Sequence, residues 1–99
     1  MAADFAPVHP GEILLEEYMK PLGLTNAALA RAISVSKPTI GQIVKGRRSI
    51  TPDTAARLAK AFDTTERFWL ILQLDYDLEV FDDSQHQGLD QIRPLVGAA

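Results

Sequence analysis

The sequence predicts an all-α domain, and three observations support this fold class. Apolar residues recur at the three- and four-residue spacing of a helix face, as in Leu29 and Ile33 and again in Ile40 and Ile43. Helix-capping residues such as Thr25 precede the predicted helices. The chain has 99 residues, of which 46% are hydrophobic, and this is enough for one small domain with a single core.

The order of capping residues, prolines and glycines predicts five helices. They span about residues 10–20, 25–33, 37–45, 51–61 and 65–81. Pro10 opens the first helix, and Pro21 with Gly23 is expected to end it. We therefore divide the chain into an N-terminal arm (1–9), a helical domain (10–82) and a C-terminal tail (83–99). The tail is predicted to be weakly structured, although its apolar residues could lie back on the domain: Leu89, Ile92, Leu95 and Val96.

A tight break separates the second helix from the third within residues 25–45. Ser36 is placed to cap the third helix, and the small Ala30 allows two helices to cross closely. This pattern resembles the helix-turn-helix of the XRE family of Cro and C1 repressors. The resemblance implies a five-helix, lambda-repressor-like DNA-binding domain whose third helix enters the major groove. Two positions depart from the family pattern, because Ser34 stands where glycine is usual and Gly41 lies within the third helix. Gly41 indicates either drift at an exposed site or a close approach of DNA.

The charge is unevenly distributed along the chain. The whole sequence has a net charge of −3, yet residues 25–60 contain seven basic residues against Asp53 alone, a balance of +6. Basic charge therefore coincides with the helix-turn-helix, as nucleic-acid binding requires. A solvated basic face is the alternative explanation.

The exposed side of the third helix and its surroundings supply the predicted DNA contacts. Lys37 can donate to guanine and Gln42 can make a two-point contact with adenine, while Pro38 offers an apolar contact. The remaining predicted contacts are with phosphates: Asn26, Ser36, Thr39, Lys45, Arg47 and Arg48.

The fifth helix is predicted to be apolar on more than one face. Such a helix cannot bury every face against one small core, so part of it should meet a second copy of the chain. The alternative is a helix wrapped by the C-terminal tail. The residues predicted at the homodimer interface are Trp69, Leu70, Leu74, Tyr76 and Phe81, and the sequence leaves open which of the five face the monomer core instead.

The residues give no support for an enzyme, a cofactor or a metal site. The chain has no cysteine, and His9 and His86 have no nearby partners, so capping or solvated histidines are favoured over metal ligands. No serine has a histidine at useful spacing and no glycine-rich phosphate loop is present. No membrane span or signal peptide is evident, and a cytoplasmic protein is the simplest expectation.

Three segments resemble the HigA/VapI group of antitoxins: HPGEIL at residues 9–14, SITPDTA at 49–55 and FWL..Q..YDL at 68–78. The resemblance covers roughly residues 9–80. It implies a homodimer that binds operator DNA, represses its own operon and neutralises a HigB-type toxin, a ribosome-dependent mRNA interferase of RelE-like fold. A basic toxin could be met by the arm and the first helix, through Phe5, Val8, Glu12, Glu16 and Glu17.

Three functions stay open from the sequence. The first is a DNA-binding autorepressor that is also an antitoxin, and the second is a solitary XRE-family regulator without a toxin. The third is a protein-binding module without DNA affinity, against which the basic central segment argues. A gene for a small basic toxin beside this one would separate the first from the second.

Overall fold

Five main helices form the part of the protein that the structure describes, as the sequence predicts. The computed structural model describes residues 6–84 and 86–97, without the side chains of residues 82–87. Helix α1 spans residues 10–22, and the next four are α2 (Asn26–Ile33), α3 (Lys37–Val44), α4 (Pro52–Phe62) and α5 (Glu66–Ser84). A short 3₁₀ helix, His86–Gln91, follows α5. The prediction of an all-α fold with five helices is confirmed, and α5 extends three residues beyond its predicted end.

Helix α1 differs from the prediction because Pro21 lies inside it. An α-helical turn at Pro10–Ile13 widens to π geometry at Leu14–Met19 and returns to α geometry at Lys20–Leu22. In the widened part, the N–H of Lys20 donates to the carbonyl five residues earlier. Pro21 has no N–H, and its ring crowds the preceding turn, so a wider turn accommodates it without ending the helix. The helix ends instead at Gly23, which has a φ of 66°.

Side-chain caps begin the helices where the sequence placed them. The Thr25 hydroxyl accepts the N–H of Ala28 at 3.0 Å, and the Ser36 hydroxyl accepts the N–H of Thr39 at 3.2 Å. Thr51 caps α4 in the same way. Each cap satisfies a backbone donor that the first helical turn leaves unpaired.

The turn between α2 and α3 depends on a left-handed residue and on a side chain from α4. Ser34 stands where the family usually has glycine and has a φ of 61°, a left-handed conformation that costs a residue with a side chain roughly 1 kcal/mol. The N–H of Val35 donates to the carbonyl of Ala30 at 2.9 Å, which closes the end of α2. The Arg57 guanidinium of α4 donates to the carbonyl of Ile33 at 2.9 Å, and this bond holds the turn against α4.

Trp69 lies at the centre of the core, where it is 0% exposed. Its ring centroid is 5.1 Å from that of Tyr18 and 5.0 Å from that of Phe68, and its indole N–H donates to the hydroxyl of Thr64 at 2.8 Å. The prediction that Trp69 anchors a dimer interface is wrong, because the ring and its donor are fully used within one chain. The other buried apolar residues are Leu14, Met19, Leu29, Ala30, Ile33, Ile40, Ile43, Ile50, Ala55, Leu58 and Ala59.

The N-terminal turn of α1 rests directly on the C-terminal end of α3. A Cβ atom added at Gly11 would lie 1.7 Å from the carbonyl oxygen of Ile43 and 3.0 Å from the Cα of Val44. Only a residue without a side chain allows this approach. Helix α1 therefore braces the end of the helix that is predicted to read DNA.

The structure is elongated, with extents of 55 × 29 × 22 Å and a radius of gyration of 16.9 Å. A compact chain of this length would have a radius of gyration of about 13 Å. The described tail does not pack back on the domain, because four of its apolar side chains are exposed: Leu89, Ile92, Leu95 and Val96. No helix in residues 6–84 and 86–97 is long and apolar enough to span a lipid bilayer.

Candidate nucleic-acid interface

Helix α3 has one buried side and one exposed side. Ile40 and Ile43 are almost fully buried and fix the rotation of the helix about its axis. The opposite side is open to solvent at four of the predicted DNA contacts: Lys37, Pro38, Gln42 and Lys45. The helix thus presents a polar and basic side to solvent, while its opposite, apolar side packs in the core.

Two hydroxyls meet at the start of α3. The Ser36 and Thr39 oxygens lie 2.7 Å apart, and Ser36 also accepts the N–H of Thr39. Ser36 is exposed and Thr39 is half-buried. This pair forms a polar end to the helix, where partial positive charge favours an anion.

Asn26, at the start of α2, lies against the middle of α3. A Cβ atom at Gly41 would be 3.8 Å from the side-chain nitrogen of Asn26, with no other atom nearby. This distance is an ordinary van der Waals contact, so no packing within the chain requires glycine at this position. Asn26 and the exposed side of α3 therefore form one continuous surface.

The loop after α3 brings two arginines beside that surface. Gly46 has a φ of 74°, and the N–H of Arg47 donates to the carbonyl of Gln42 at 2.9 Å. The Arg48 guanidinium donates to the side-chain oxygen of Gln42 at 3.4 Å. Arg47 and Arg48 are both exposed. The predicted reader Gln42 thus stands next to the predicted phosphate contacts.

Not every basic residue of the central segment belongs to this surface. Arg57 donates to Asp53 at 3.0 Å as well as to the carbonyl of Ile33, so it supports the turn rather than a ligand. The exposed cations on or beside α3 are Lys37, Lys45, Arg47 and Arg48. No group of three potential metal ligands occurs within the residues that the structure describes.

Comparison with known proteins supports the assignment of a helix-turn-helix. Residues 15–69 match the model of a helix-turn-helix family. The chain is 47% identical over 88 residues to Virulence-associated protein I of Dichelobacter nodosus, covering 89% of this chain and 81% of that protein. It is 39% identical over 89 residues to Antitoxin HigA-1 of Vibrio cholerae, covering 90% of this chain and 84% of that protein. The chain belongs to the HigA family of helix-turn-helix antitoxins.

A HigA structure shares the fold of the whole described domain. The antitoxin HigA of Pseudomonas aeruginosa, solved with the higBA promoter, superimposes with a TM-score of 0.82 at 43% sequence identity. The alignment covers 91% of this chain and 99% of that chain. The resemblance predicted from the three sequence segments is confirmed.

Sequence reasoning missed one buried polar residue behind the loop that follows α3 in this HigA-family chain. The Gln73 side chain on α5 accepts the N–H of Ile50 at 2.7 Å and donates to Asp77 at 2.9 Å. It is only 6% exposed. The sequence signal for a buried polar side chain was a glutamine among the apolar residues of the fifth helix.

His9 joins the arm to the ends of two helices. Its Nδ1 accepts the N–H of Gly11 at 2.9 Å, its ring meets that of Tyr76 edge-on at 4.8 Å, and its ring lies beside Gly46. The expectation of a capping histidine is confirmed, while the side chain of His86 lies outside the described residues. Burial lowers the pKa of His9 below 6.5, partly opposed by the negative charge of Asp77. The folded state therefore binds this proton less readily than the unfolded chain. The stability that neutral His9 contributes is present above about pH 6.5 and is lost as the pH falls through the lowered pKa of the folded state.

The outer face of α5 in this HigA-family chain carries a stripe of exposed apolar residues. Of the predicted dimer contacts, Leu74 is 54% exposed and Phe81 is 42% exposed, whereas Leu70 packs partly on the core and Tyr76 lies partly under His9. Two further members of the stripe were not among the predicted contacts: Ile71 and Leu78.

The predicted toxin-facing surface is divided between the arm and α1. A groove of about 310 Å³ lies between the arm and α5, and its lining comprises Ala6, Val8, Ile13, Leu72, Asp75, Tyr76 and Glu79. Phe5 lies outside the described residues. Glu16 pairs with Lys20 at 2.8 Å, while Glu12 and Glu17 are exposed.

Proposed function

We propose that the protein is a homodimeric, sequence-specific DNA-binding repressor of its own operon and the antitoxin of a HigB-type mRNA interferase. The observation that carries this proposal is the exposed side of α3, where Lys37, Gln42 and Lys45 stand over a buried apolar back. A relative of the same fold has been solved with its promoter, and this supports a DNA-binding role for the shared helix-turn-helix. In this role the protein acts by binding, in the cytoplasm, without catalysis or a cofactor.

Two kinds of contact, with bases and with phosphates, contribute to DNA binding. Lys37 and Gln42 read bases in the major groove, with Pro38 available for a thymine methyl group. Phosphate contacts position the helix without reading sequence, and they fall to Asn26, Ser36, Thr39, Lys45, Arg47 and Arg48. The hydrogen bond between Arg48 and Gln42 supports this division, because it places a phosphate contact beside a base reader.

A homodimer through α5 holds two copies of α3 at a fixed distance. Ile71, Leu74, Leu78 and Phe81 repeat at spacings of three, four and three residues, which is the pattern of a seam between two helices. The described tail leaves this stripe exposed, which favours a second copy over wrapping by the tail. Such a self-complementary surface suits a two-fold axis.

The antitoxin role rests on membership of the HigA family and on the distribution of charge. The exposed acids Glu12 and Glu17 belong to α1 and not to the segment with a charge of +6, and neither is among the predicted DNA contacts, so they are available to a basic toxin. Opposite charge steers such a pair together and fixes its orientation.

Footprinting on the promoter of the operon tests the DNA-binding role. We expect a palindrome with half-sites about one helical turn, roughly 10 bp, apart. Co-expression with the toxin encoded by the adjacent gene tests the antitoxin role, and we expect a stable complex and restored growth. Operator binding with no toxin gene nearby would instead indicate a solitary regulator.

A further inference from the structure

The loop that carries Arg47 and Arg48 is held from behind by a side chain of α5. We propose that Gln73 is a positioning residue for DNA binding, which fixes the loop backbone at Ile50 and thereby holds the two arginines against phosphates. This inference rests on the proposed DNA-binding function. It adds a residue that does not itself touch DNA.

The Gln73 amide makes one hydrogen bond through its oxygen and another through its nitrogen, and turning the amide over would break both. Its oxygen accepts the N–H of Ile50 at 2.7 Å, and its nitrogen donates to the carboxylate of Asp77 at 2.9 Å. A backbone N–H requires an oxygen and a carboxylate requires a donor, so the orientation of the amide is determined. Because the bond to Ile50 is buried, removing it would leave a backbone donor without a partner.

The loop has two fixed points, one on each side of its exposed part. At its start, the N–H groups of Gly46 and Arg47 donate to carbonyls of α3 at 2.9 Å. At its end, the Ile50 side chain is buried and its N–H is held by Gln73. Arg48 lies exposed between the two points. The second fixed point therefore limits where the guanidinium groups can reach.

The hydrogen bond between Ile50 and Gln73 also connects the loop to α5, the longest helix among the described residues. Gln73 is 23 residues from Ile50 in sequence and lies on α5, the helix that bears the exposed apolar stripe. Local loop contacts alone would let the arginines sample many positions, and ordering them on DNA would then reduce affinity. A bond to a rigid helix removes that freedom before DNA binds.

The test compares operator affinity over a range of salt concentrations in the wild-type protein and three variants. Gln73→Leu removes both hydrogen bonds, whereas Gln73→Glu combined with Asp77→Asn keeps both, reverses the second and leaves the net charge unchanged. For Gln73→Leu we expect weaker binding to operator and scrambled DNA alike, with a salt slope flatter by about 0.9 for each phosphate that the arginines no longer neutralise. The double variant should recover the wild-type slope. Gln91→Leu makes the same change at an exposed tail position and should leave the slope unchanged.

Two results would overturn the inference: a folded Gln73→Leu protein with the wild-type slope, or a folded double variant as weak as Gln73→Leu. Should Gln73→Leu reduce the helicity, Gln73→Met replaces it, since methionine has a similar length but only a weak acceptor in place of the oxygen that holds the N–H of Ile50. A flatter slope in Gln73→Met supports the inference and a wild-type slope overturns it. Failure of the wild-type protein to bind any operator would refute the proposed function itself, which is a separate outcome.

Discussion

Gly11→Ala tests how α1 supports α3, the helix that we propose reads DNA. The added Cβ would lie 1.7 Å from the carbonyl oxygen of Ile43 and 2.6 Å from its carbonyl carbon, and both are backbone atoms. A flexible side chain could turn away from such a contact, but a helix backbone cannot. The two helices must therefore move apart by more than about 1 Å, or the end of α3 must unwind.

The expected magnitude follows from the overlap. Overpacking a core costs typically about 1–3 kcal/mol, and a backbone clash of this size belongs at or above the upper end of that range. A decrease of about 3 kcal/mol in the free energy of unfolding lowers the melting temperature of a domain of this length by about 12–24 °C. Because the shift displaces the end of α3, operator affinity should fall as well at a temperature where the variant is still folded.

Gly41→Ala is the matched control, since it adds the same methyl group to another helix. Its Cβ would meet only the Asn26 side chain, at 3.8 Å, so the variant should gain roughly 1 kcal/mol of helix propensity. Thermal unfolding followed by circular dichroism measures both variants against wild type. A Gly11→Ala protein within about 1 kcal/mol of wild type would refute the bracing role of α1.

Three further predictions concern the dimer, the pH dependence and the toxin. Leu74→Glu with Phe81→Glu should give a folded monomer in sedimentation, because charge is costly in an apolar interface; a dimer of unchanged operator affinity would contradict it. His9→Asn keeps a capping acceptor but does not titrate, so the fall in melting temperature between about pH 6.5 and 5 should be smaller than in wild type, and an equal fall would argue against the His9 contribution. Truncation of residues 1–8, or charge reversal at Glu16 and Glu17, should weaken rescue from the toxin, and full rescue would place the toxin-binding surface elsewhere.

Local chemistry made the helices and the exposed side of α3 predictable. Thr25 and Ser36 are caps in sequence and in structure, because a hydroxyl three residues ahead of a free N–H needs no distant partner. The exposed side of α3 followed from the spacing of Ile40 and Ile43, since burying both determines which residues remain outside.

Contacts between distant segments were not predictable in this way. Periodicity places Trp69 on one side of α5 but does not say which side faces the core, so its assignment to the dimer interface was wrong. The bond from Gln73 to Ile50 joins residues 23 positions apart, and neither residue type signals the other. The requirement for glycine at position 11 also depends on a backbone approach that no local pattern reveals.

The role of α3 in reading operator DNA is measured by the binding of the operator and its single-base variants to Lys37→Ala, Gln42→Ala and Arg47→Ala. We expect Lys37→Ala and Gln42→Ala each to reduce discrimination at one base pair of each half-site by about 1–3 kcal/mol. Arg47→Ala should weaken binding to all sequences alike and flatten the salt slope by about one. Unchanged base preference in the Lys37 and Gln42 variants, or binding of the wild-type protein that does not depend on salt, would refute sequence reading by α3.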